Sequence, residues 1–389
     1  MNLLIKAKIM IRIIKKIIFN LVKNIALLKR KILIPKDIPD NPKKILIARH
    51  DRLGDLILSL PAIYSVREAY PNAKISLLIN ESFKDLIDFF SFKVSIITYN
   101  KKDSFLKKIF CYFKIYFSNF DILLDLTYGD SLVSGTMAFL SFIPVRIGHE
   151  VCKHGFLFTH PVKFDISKFE TDNTFNIVKH LKEVKKVDKV YPELKPDIKK
   201  VWNEKLVNLG VSNRDVVIGF NIGVSKNNLY RAWPVEYMAE VINKILDKNP
   251  DYKIVIIGSK EEEIYFIKLK EYLKYNVISF VGKTDIRDLI YLMSFLNLFV
   301  CNNTGTMQLS VLLDIPAIVI NGPSSVRRWG PKDLNKHTIV KKDLDCNIDD
   351  CDGKLCAKEI YCIRGITPQE VYESFVEKFN YEQKNINNK

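Results

Sequence analysis

Two series of short β-branched or leucine-rich runs, spaced by longer stretches of helical periodicity, dominate the chain between residues 44 and 322. The first series is KILIAR (44–49), KISLLI (74–79), VSIIT (94–98) and DILLDL (121–126). The second is DVVIGFN (215–221), YKIVII (252–257), NVISFVG (276–282), NLFVCN (297–302) and IPAIVING (315–322). Strand followed by helix followed by strand is the pattern of a parallel sheet with crossover helices, so the expected class is α/β. A polar, lysine-rich stretch, KHLKEVKKVDKVYPELKPDIKKVW (179–202), breaks the rhythm and reads as an interdomain connection. The expected domains are 42–195 and 205–365, with a helical tail over 366–389. Two such domains in tandem face a central cleft with the carboxyl ends of their strands, where ligands of open α/β sheets sit.

At 389 residues, 48% of them hydrophobic, the chain has the length for two cores. Its net charge of +16 is unevenly placed: residues 1–34 hold nine Lys or Arg, and no acid precedes Asp37. In this segment apolar residues recur at helical spacing through Met10, Ile14, Ile17, Leu21, Ile25 and Leu28, while Lys8, Arg12, Lys15, Lys16 and Lys23 share an arc. Charges interrupt every apolar run, which argues against a bilayer span, and no small-residue cleavage site marks a signal peptide. The pattern predicts a basic amphipathic helix lying on a membrane, where each Lys or Arg gains roughly 1 kcal/mol from anionic headgroups. A helix docked on its own protein has the same pattern. Nucleic acid is not an expected partner, because the rest of the chain is only mildly basic and carries no recognition motif.

Two strand-to-helix turns stand out. In the second series NLFVC runs into Asn302-Asn303-Thr304-Gly305-Thr306 and then the apolar helix TMQLSVLL, which leaves backbone N–H groups open at a helix N-terminus suited to phosphate. Gly305 permits close approach of a ligand, and Thr304 and Thr306 are placed to cap the helix or donate a hydroxyl. Any helix that starts with a Thr after Gly has the same local look. In the first series KILIAR ends in Arg49-His50-Asp51-Arg52, and Gly54-Asp55 opens the next helix. Asp55 is there either as a charge favoured by the helix dipole or as a general base at a cleft edge.

Taken together, the ordered blocks resemble the ADP-heptose:lipopolysaccharide heptosyltransferase family, glycosyltransferase family nine. The blocks are RHDRLGDLILSLPAIYSVREAYP (49–71), DILLDL followed by VRIG (145–148), FNIGVSKNNLYRAWPVEYMAEVI (220–242), IIGSKEEE (256–263), the run from VGKTDIRDL through NNTGTMQLSV to INGPSS, and a late Cys-rich stretch ending ITPQEV. The resemblance implies a GT-B arrangement of two Rossmann-like domains, the first for acceptor and catalysis, the second for a nucleotide sugar. It implies Asp55 as the base that deprotonates the acceptor hydroxyl, one direct inverting displacement, and no cofactor or metal. Donor contacts are implied for Ser225, Asn227, Arg231, Glu261 or Glu262, Thr284, Asn303, Thr304, Gly305, Thr306, Met307 and Gln308, with Arg231 and the turn's backbone holding the leaving diphosphate. Acceptor contacts are implied for His50, Asp51 and Arg52, although a solvent-facing loop histidine is the plainer reading of His50. The implied partners are a nucleotide-sugar donor, a lipid-linked cell-envelope glycan and the inner face of the cytoplasmic membrane.

The chain departs from the family pattern at two places. Asn303 stands where the family has an acid, and Gln308 where it has a histidine; neither amide can hold charge or relay a proton. The donor sugar and base therefore stay open, as do an epimerase on the same scaffold and an inactive membrane-bound scaffold. Four cysteines, Cys346, Cys351, Cys356 and Cys362, cluster at spacings that do not match the two-residue gaps of zinc sites, leaving a structural metal and free thiols both open. Cys111, Cys152 and Cys301 read as core residues. The Asp-x-Asp triplets at 343–345 and 350–352 follow no strand at the expected cleft and read as solvated acids.

Overall fold

The structure is a computed structural model describing residues 37–387 except 129–132, 153–154, 225, 345, 347–355 and 357–360. The expected N-terminal helix, Ser225 and Cys351 lie outside the described residues. The first half runs β1 (Lys44–Arg49), α1 (Leu53–Ala69), β2 (Lys74–Ile79), β3 (Ser95–Thr98), α2 (Phe105–Ser118), β4 (Ile122–Asp125), α3 (Val133–Leu140), β5 (Val145–His149), β6 (His160–Val162) and α4 (Glu170–Val178). The second runs α5 (Pro196–Asn208), β7 (Val217–Asn221), α6 (Val235–Lys248), β8 (Lys253–Ile257), α7 (Glu263–Tyr272), β9 (Ile278–Ser279), α8 (Ile286–Met293) and β10 (Leu298–Asn302). It ends in α9 (Gly305–Leu312), β11 (Ala317–Asn321), α10 (Val326–Trp329), β12 (His337–Lys341), α11 (Tyr361–Arg364) and α12 (Pro368–Asn387).

Among the described residues the strands form two six-stranded sheets, ordered β3-β2-β1-β4-β5-β6 and β12-β11-β10-β7-β8-β9. All pairings are parallel. Parallel sheets are covered on both faces, which is why their strands read as continuous apolar runs. In β1, Ile45 and Ile47 pack on the α1 side, whereas Leu46 and Ala48 pack with Cys111 and Ile115 of α2 on the other. The α1-side core is continuous with one face of the second sheet through Phe299, Cys301, Met307 and Leu309, and Phe89 meets Tyr291 at a centroid distance of 5.4 Å. The opposite face of the second sheet is covered by α6 and α12, with Trp233, Ile242 and Phe375 buried between them. The lysine-rich stretch is a connection only up to residue 195. From Pro196 it is helical, because proline suits the first helical position and Trp202 and Leu206 find a core to enter.

The strand orders decide where ligands go. Each sheet is built outward from one strand, then restarts on its other side, so the order reverses between β1 and β4 and again between β7 and β10. Crevices outside the carboxyl ends of strands open at such reversals. The two turns singled out in the sequence follow β1 and β10, one at each reversal.

Candidate active site

The turn after β1 packs its charges tightly. Asp55 is the third residue of α1, in the first turn where the helix dipole favours a carboxylate, and its side chain is only 4% exposed. Arg52 Nε donates to Asp55 Oδ2 at 2.7 Å, and Arg49 Nη2 lies 3.7 Å from Oδ1. Arg49 also donates from Nε to the Asp55 backbone oxygen at 3.1 Å. The Arg52 side chain is 56% exposed, so one partner of the carboxylate is free to swing toward solvent while the other is fixed. Asp51 sits 3.5 Å from Arg49, half-buried. Burial pushes Asp51 up to about 7, aided by the Asp55 charge and opposed by Arg49 and Arg52. Burial works against the Arg49 charge, but Asp51, Asp55 and Glu170 outweigh it and hold the guanidinium protonated more firmly than usual. His50 is not a solvent-facing loop residue: it is 3% exposed and packs edge-on against Tyr99 at 5.3 Å.

Across the crevice, α9 begins at Gly305 immediately after the Asn302–Thr304 turn. The two helix starts touch. A Cβ at Gly54 would stand 3.3 Å from the Gly305 Cα and from the Gln308 Cγ, and a Cβ at Gly305 would stand 3.2 Å from the Gly54 nitrogen and the Leu53 Cβ. Two glycines allow this approach, which brings the start of the helix that carries Asp55 against the start of α9. The Thr304 side chain does not cap α9: its hydroxyl lies 3.0 Å from that of Thr306 and 3.4 Å from the Asn302 carbonyl, so of the two roles expected for the threonines Thr304 does not take the cap. The first-turn N–H groups therefore have no side-chain acceptor from the cap residue. Met307 is fully buried in the core, so only its backbone can serve the turn.

Both departures from the family pattern are accounted for by local bonding. Asn321 donates its amide to the carbonyls of Gly322 and Ser324, at 3.1 and 3.0 Å, so its oxygen is left as an acceptor. Asn303 Nδ2 donates to that oxygen at 2.7 Å, a bond an ionised aspartate cannot make. Gln308 is 4% exposed and its Nε2 donates to the Trp329 carbonyl at 2.6 Å, tying α9 to α10.

The remaining expected donor residues divide. Arg231 ends a two-turn 3-10 helical segment, Lys226–Arg231, that also contains Asn227. Its Nε is buried and, among the described residues, has no hydrogen-bond partner. The next loop is pinned to the β10 turn, since the Trp233 amide donates to Asn302 Oδ1 at 3.1 Å. Of the two glutamates, Glu261 points outward and meets Lys102 at 3.5 Å, whereas Glu262 is buried. Glu262 Oε2 accepts from the Ser259 amide at 2.6 Å, and its carboxylate lies against Gly223 and Gly258, just past β7 and β8. Thr284 is half-buried between Gly282 and the start of α8. Among the described residues no three His, Cys, Asp or Glu side chains are arranged to hold a metal; Cys346 is exposed, and Cys356 and Cys362 are half-buried. Asp343 does follow a strand, β12, but at the sheet's outer edge, exposed and paired with Lys341 at 2.6 Å.

Sequence reasoning passed over the cluster beneath the crevice. Glu170 of α4 accepts from Arg49 at 2.8 Å on one oxygen and from Arg328 of α10 at 3.1 Å on the other. All three side chains are at most 1% exposed. Arg328 lies over the rings of Tyr128 and Trp329 at 4.3 and 4.4 Å. One carboxylate thus links the strand end that supports Asp55 to the second sheet's domain. Its only sequence signal was an arginine at a strand end, which names no partner.

A family model for glycosyltransferase family 9 (heptosyltransferase) matches residues 114–358. Lipooligosaccharide heptosyltransferase 2 of Campylobacter jejuni is 25% identical over 338 residues, spanning 85% of this chain and 96% of that protein. The fold is similar to that of Escherichia coli ADP-heptose lps heptosyltransferase II, with a TM-score of 0.69 and 18% identity over 87% of this chain and 99% of the other. It is also similar to E. coli heptosyltransferase WaaC with ADP, with a TM-score of 0.63 and 16% identity over 86% and 99% of the two chains. The double parallel sheet and a match over more than half of the sequence lead to one assignment: the chain belongs to glycosyltransferase family 9 and is a heptosyltransferase-like enzyme of GT-B architecture.

Proposed function

We propose that the protein transfers heptose from ADP-heptose to a lipid-linked cell-envelope glycan such as the lipopolysaccharide inner core, by a single inverting displacement. The observation that supports this reading is the Gly54–Gly305 contact, which brings the helix start that carries the buried Asp55 against the helix start at Gly305, whose cap residue makes no side-chain bond. The acceptor hydroxyl oxygen attacks the anomeric carbon, the bond from that carbon to the diphosphate oxygen breaks, and the hydroxyl proton passes to Asp55. A positioned carboxylate of this kind contributes about 10² to 10⁴ in rate. ADP leaves with the electron pair of the broken bond. The N–H groups of α9 and the unpartnered Arg231 Nε are suited to its charge, and these fixed donors do the work a divalent ion does elsewhere.

Glu262 is the better candidate for the nucleotide ribose, because it is held at the end of β8 whereas Glu261 is turned to Lys102. Ser225, Asn227 and Thr284 complete the donor side, and His50, Asp51 and Arg52 the acceptor side. That E. coli WaaC was solved with ADP supports adenine as the base. The C. jejuni relative's name supports a lipooligosaccharide-type acceptor. Among the described residues no helix is long and apolar enough to cross a membrane. The basic segment 1–34 would hold the enzyme on the inner face of the cytoplasmic membrane, where its acceptor is anchored.

Product analysis with purified protein, ADP-heptose and acceptor tests the reading. Transfer should require acceptor and should fall about 10² to 10⁴ in Asp55→Asn. Donor turnover to an isomer without acceptor would replace transfer with epimerisation. ADP at a hundred times its dissociation constant should stabilise the fold by about 2.7 kcal/mol. Stabilisation by UDP or GDP instead would replace the donor.

A further inference from the structure

On α2 the side opposite the core is aromatic. Cys111 and Ile115 enter the core, and at about 100° per residue Leu106, Phe110, Phe113 and Phe117 line up on the other side of the helix. Phe110 and Phe117 are each 71% exposed, Leu106 is 65% exposed, and Phe105 at the helix start is 77% exposed. Phe113 and Phe117 stack at 5.9 Å, so the stripe is ordered by its own contacts. At the neighbouring end of α3, which Tyr112 reaches through the Leu140 carbonyl, Leu140 and Phe142 are 44% and 63% exposed. Phe142 has φ 58°, a left-handed conformation that a bulky residue rarely adopts.

A contiguous run of exposed apolar side chains marks an interaction surface. Between residues 101 and 118 the chain carries five lysines, Lys101, Lys102, Lys107, Lys108 and Lys114, against one acid, Asp103; Lys102 pairs with Glu261, which leaves the excess positive. That charge decides among occupants. A second copy docked through the same face would set these lysines against themselves. The segment 1–34, with nine basic residues and no acid, would meet them with like charge as well. A bilayer rich in anionic headgroups satisfies both the aromatic stripe and its basic rim. We propose that α2 is a membrane-docking face, lying in the interface plane with Phe105, Phe110 and Phe117 in the acyl boundary and the flanking lysines on anionic headgroups. This is separate from the basic N-terminal segment and independent of which sugar the enzyme transfers.

The test uses the full chain and vesicles of phosphatidylglycerol with phosphatidylcholine. Phe110→Ser/Phe117→Ser, at two exposed positions that are not among the site residues, should keep its turnover of soluble donor and acceptor analogue while vesicle partitioning falls at least tenfold. The N-terminal segment contributes its own binding, so a local probe is needed. In Phe117→Trp, emission should be quenched by brominated acyl chains in anionic vesicles well beyond the parent, whose Trp202 and Trp233 are buried and whose Trp329 is half-buried. Quenching equal to the parent's would overturn the proposal. So would blue-shifted emission from the introduced indole before vesicles are added, since it would mean that the N-terminal segment or another protein surface already covers the helix.

Discussion

Replacing Glu170 by glutamine removes the negative charge shared by two guanidinium groups that approach its oxygens at 2.8 and 3.1 Å. An amide there can accept from one arginine, but it turns its NH2 toward the other, donor against donor. Arg49 keeps Asp51 and Asp55 at 3.5 and 3.7 Å, but Glu170 is the carboxylate it shares with Arg328, and because none of the three side chains is more than 1% exposed, water does little to replace that shared contact. Breaking a buried ion pair of this kind costs about 3–5 kcal/mol. For a domain of ordinary size each kcal/mol lowers the midpoint by about 2–4 °C, so thermal unfolding of Glu170→Gln should occur roughly 10 °C lower. Activity should fall too, since Arg49 also supports the backbone of Asp55 and Arg328 belongs to the opposite domain. The assay is thermal and urea unfolding beside kcat/KM. A companion variant, Arg49→Met/Glu170→Leu/Arg328→Met, should recover much of the stability and little of the activity, because a packed apolar cluster tolerates burial as well as the ions do. A loss below about 1 kcal/mol with unchanged kcat/KM would refute the claim that this cluster joins the domains beneath the site.

Asn303→Asp should destabilise by about 1–3 kcal/mol in urea unfolding, because it opposes two acceptors in a buried place. Gly305→Ala introduces a methyl 3.2 Å from the Gly54 nitrogen. If the crevice opens by about 1 Å, kcat/KM should drop on the order of 10²-fold while the protein stays folded. The Asp51 carboxyl binds its proton more tightly folded, at about 7, than its ordinary 3.8. Its stabilising contribution is therefore full below the ordinary value and lost as pH rises through about 7. Unfolding of wild type and Asp51→Asn at pH 5 and pH 8 should show the variant gaining relative stability at the higher pH; a constant difference would count against that assignment.

The α/β class and the two strand series were legible because apolar runs and helical periodicity are local properties of the chain. Three strands escaped that reading. β6 has three residues including Pro161, β12 opens with His337 and Thr338, and VRIG in β5 is broken by Arg146. Pairing with a neighbouring strand makes them strands, and pairing is not written in a short segment. The turns at Asp55 and Gly305 were likewise visible one by one, as glycines and polar residues between a strand and a helix. That they touch was decided by the packing of α1 on α9, which no local pattern specifies. Charge is the extreme case: the sequence shows Arg49, Glu170 and Arg328 as three separate ions. Only the folded chain removes them from water together, and it is that shared desolvation that makes a cluster of them.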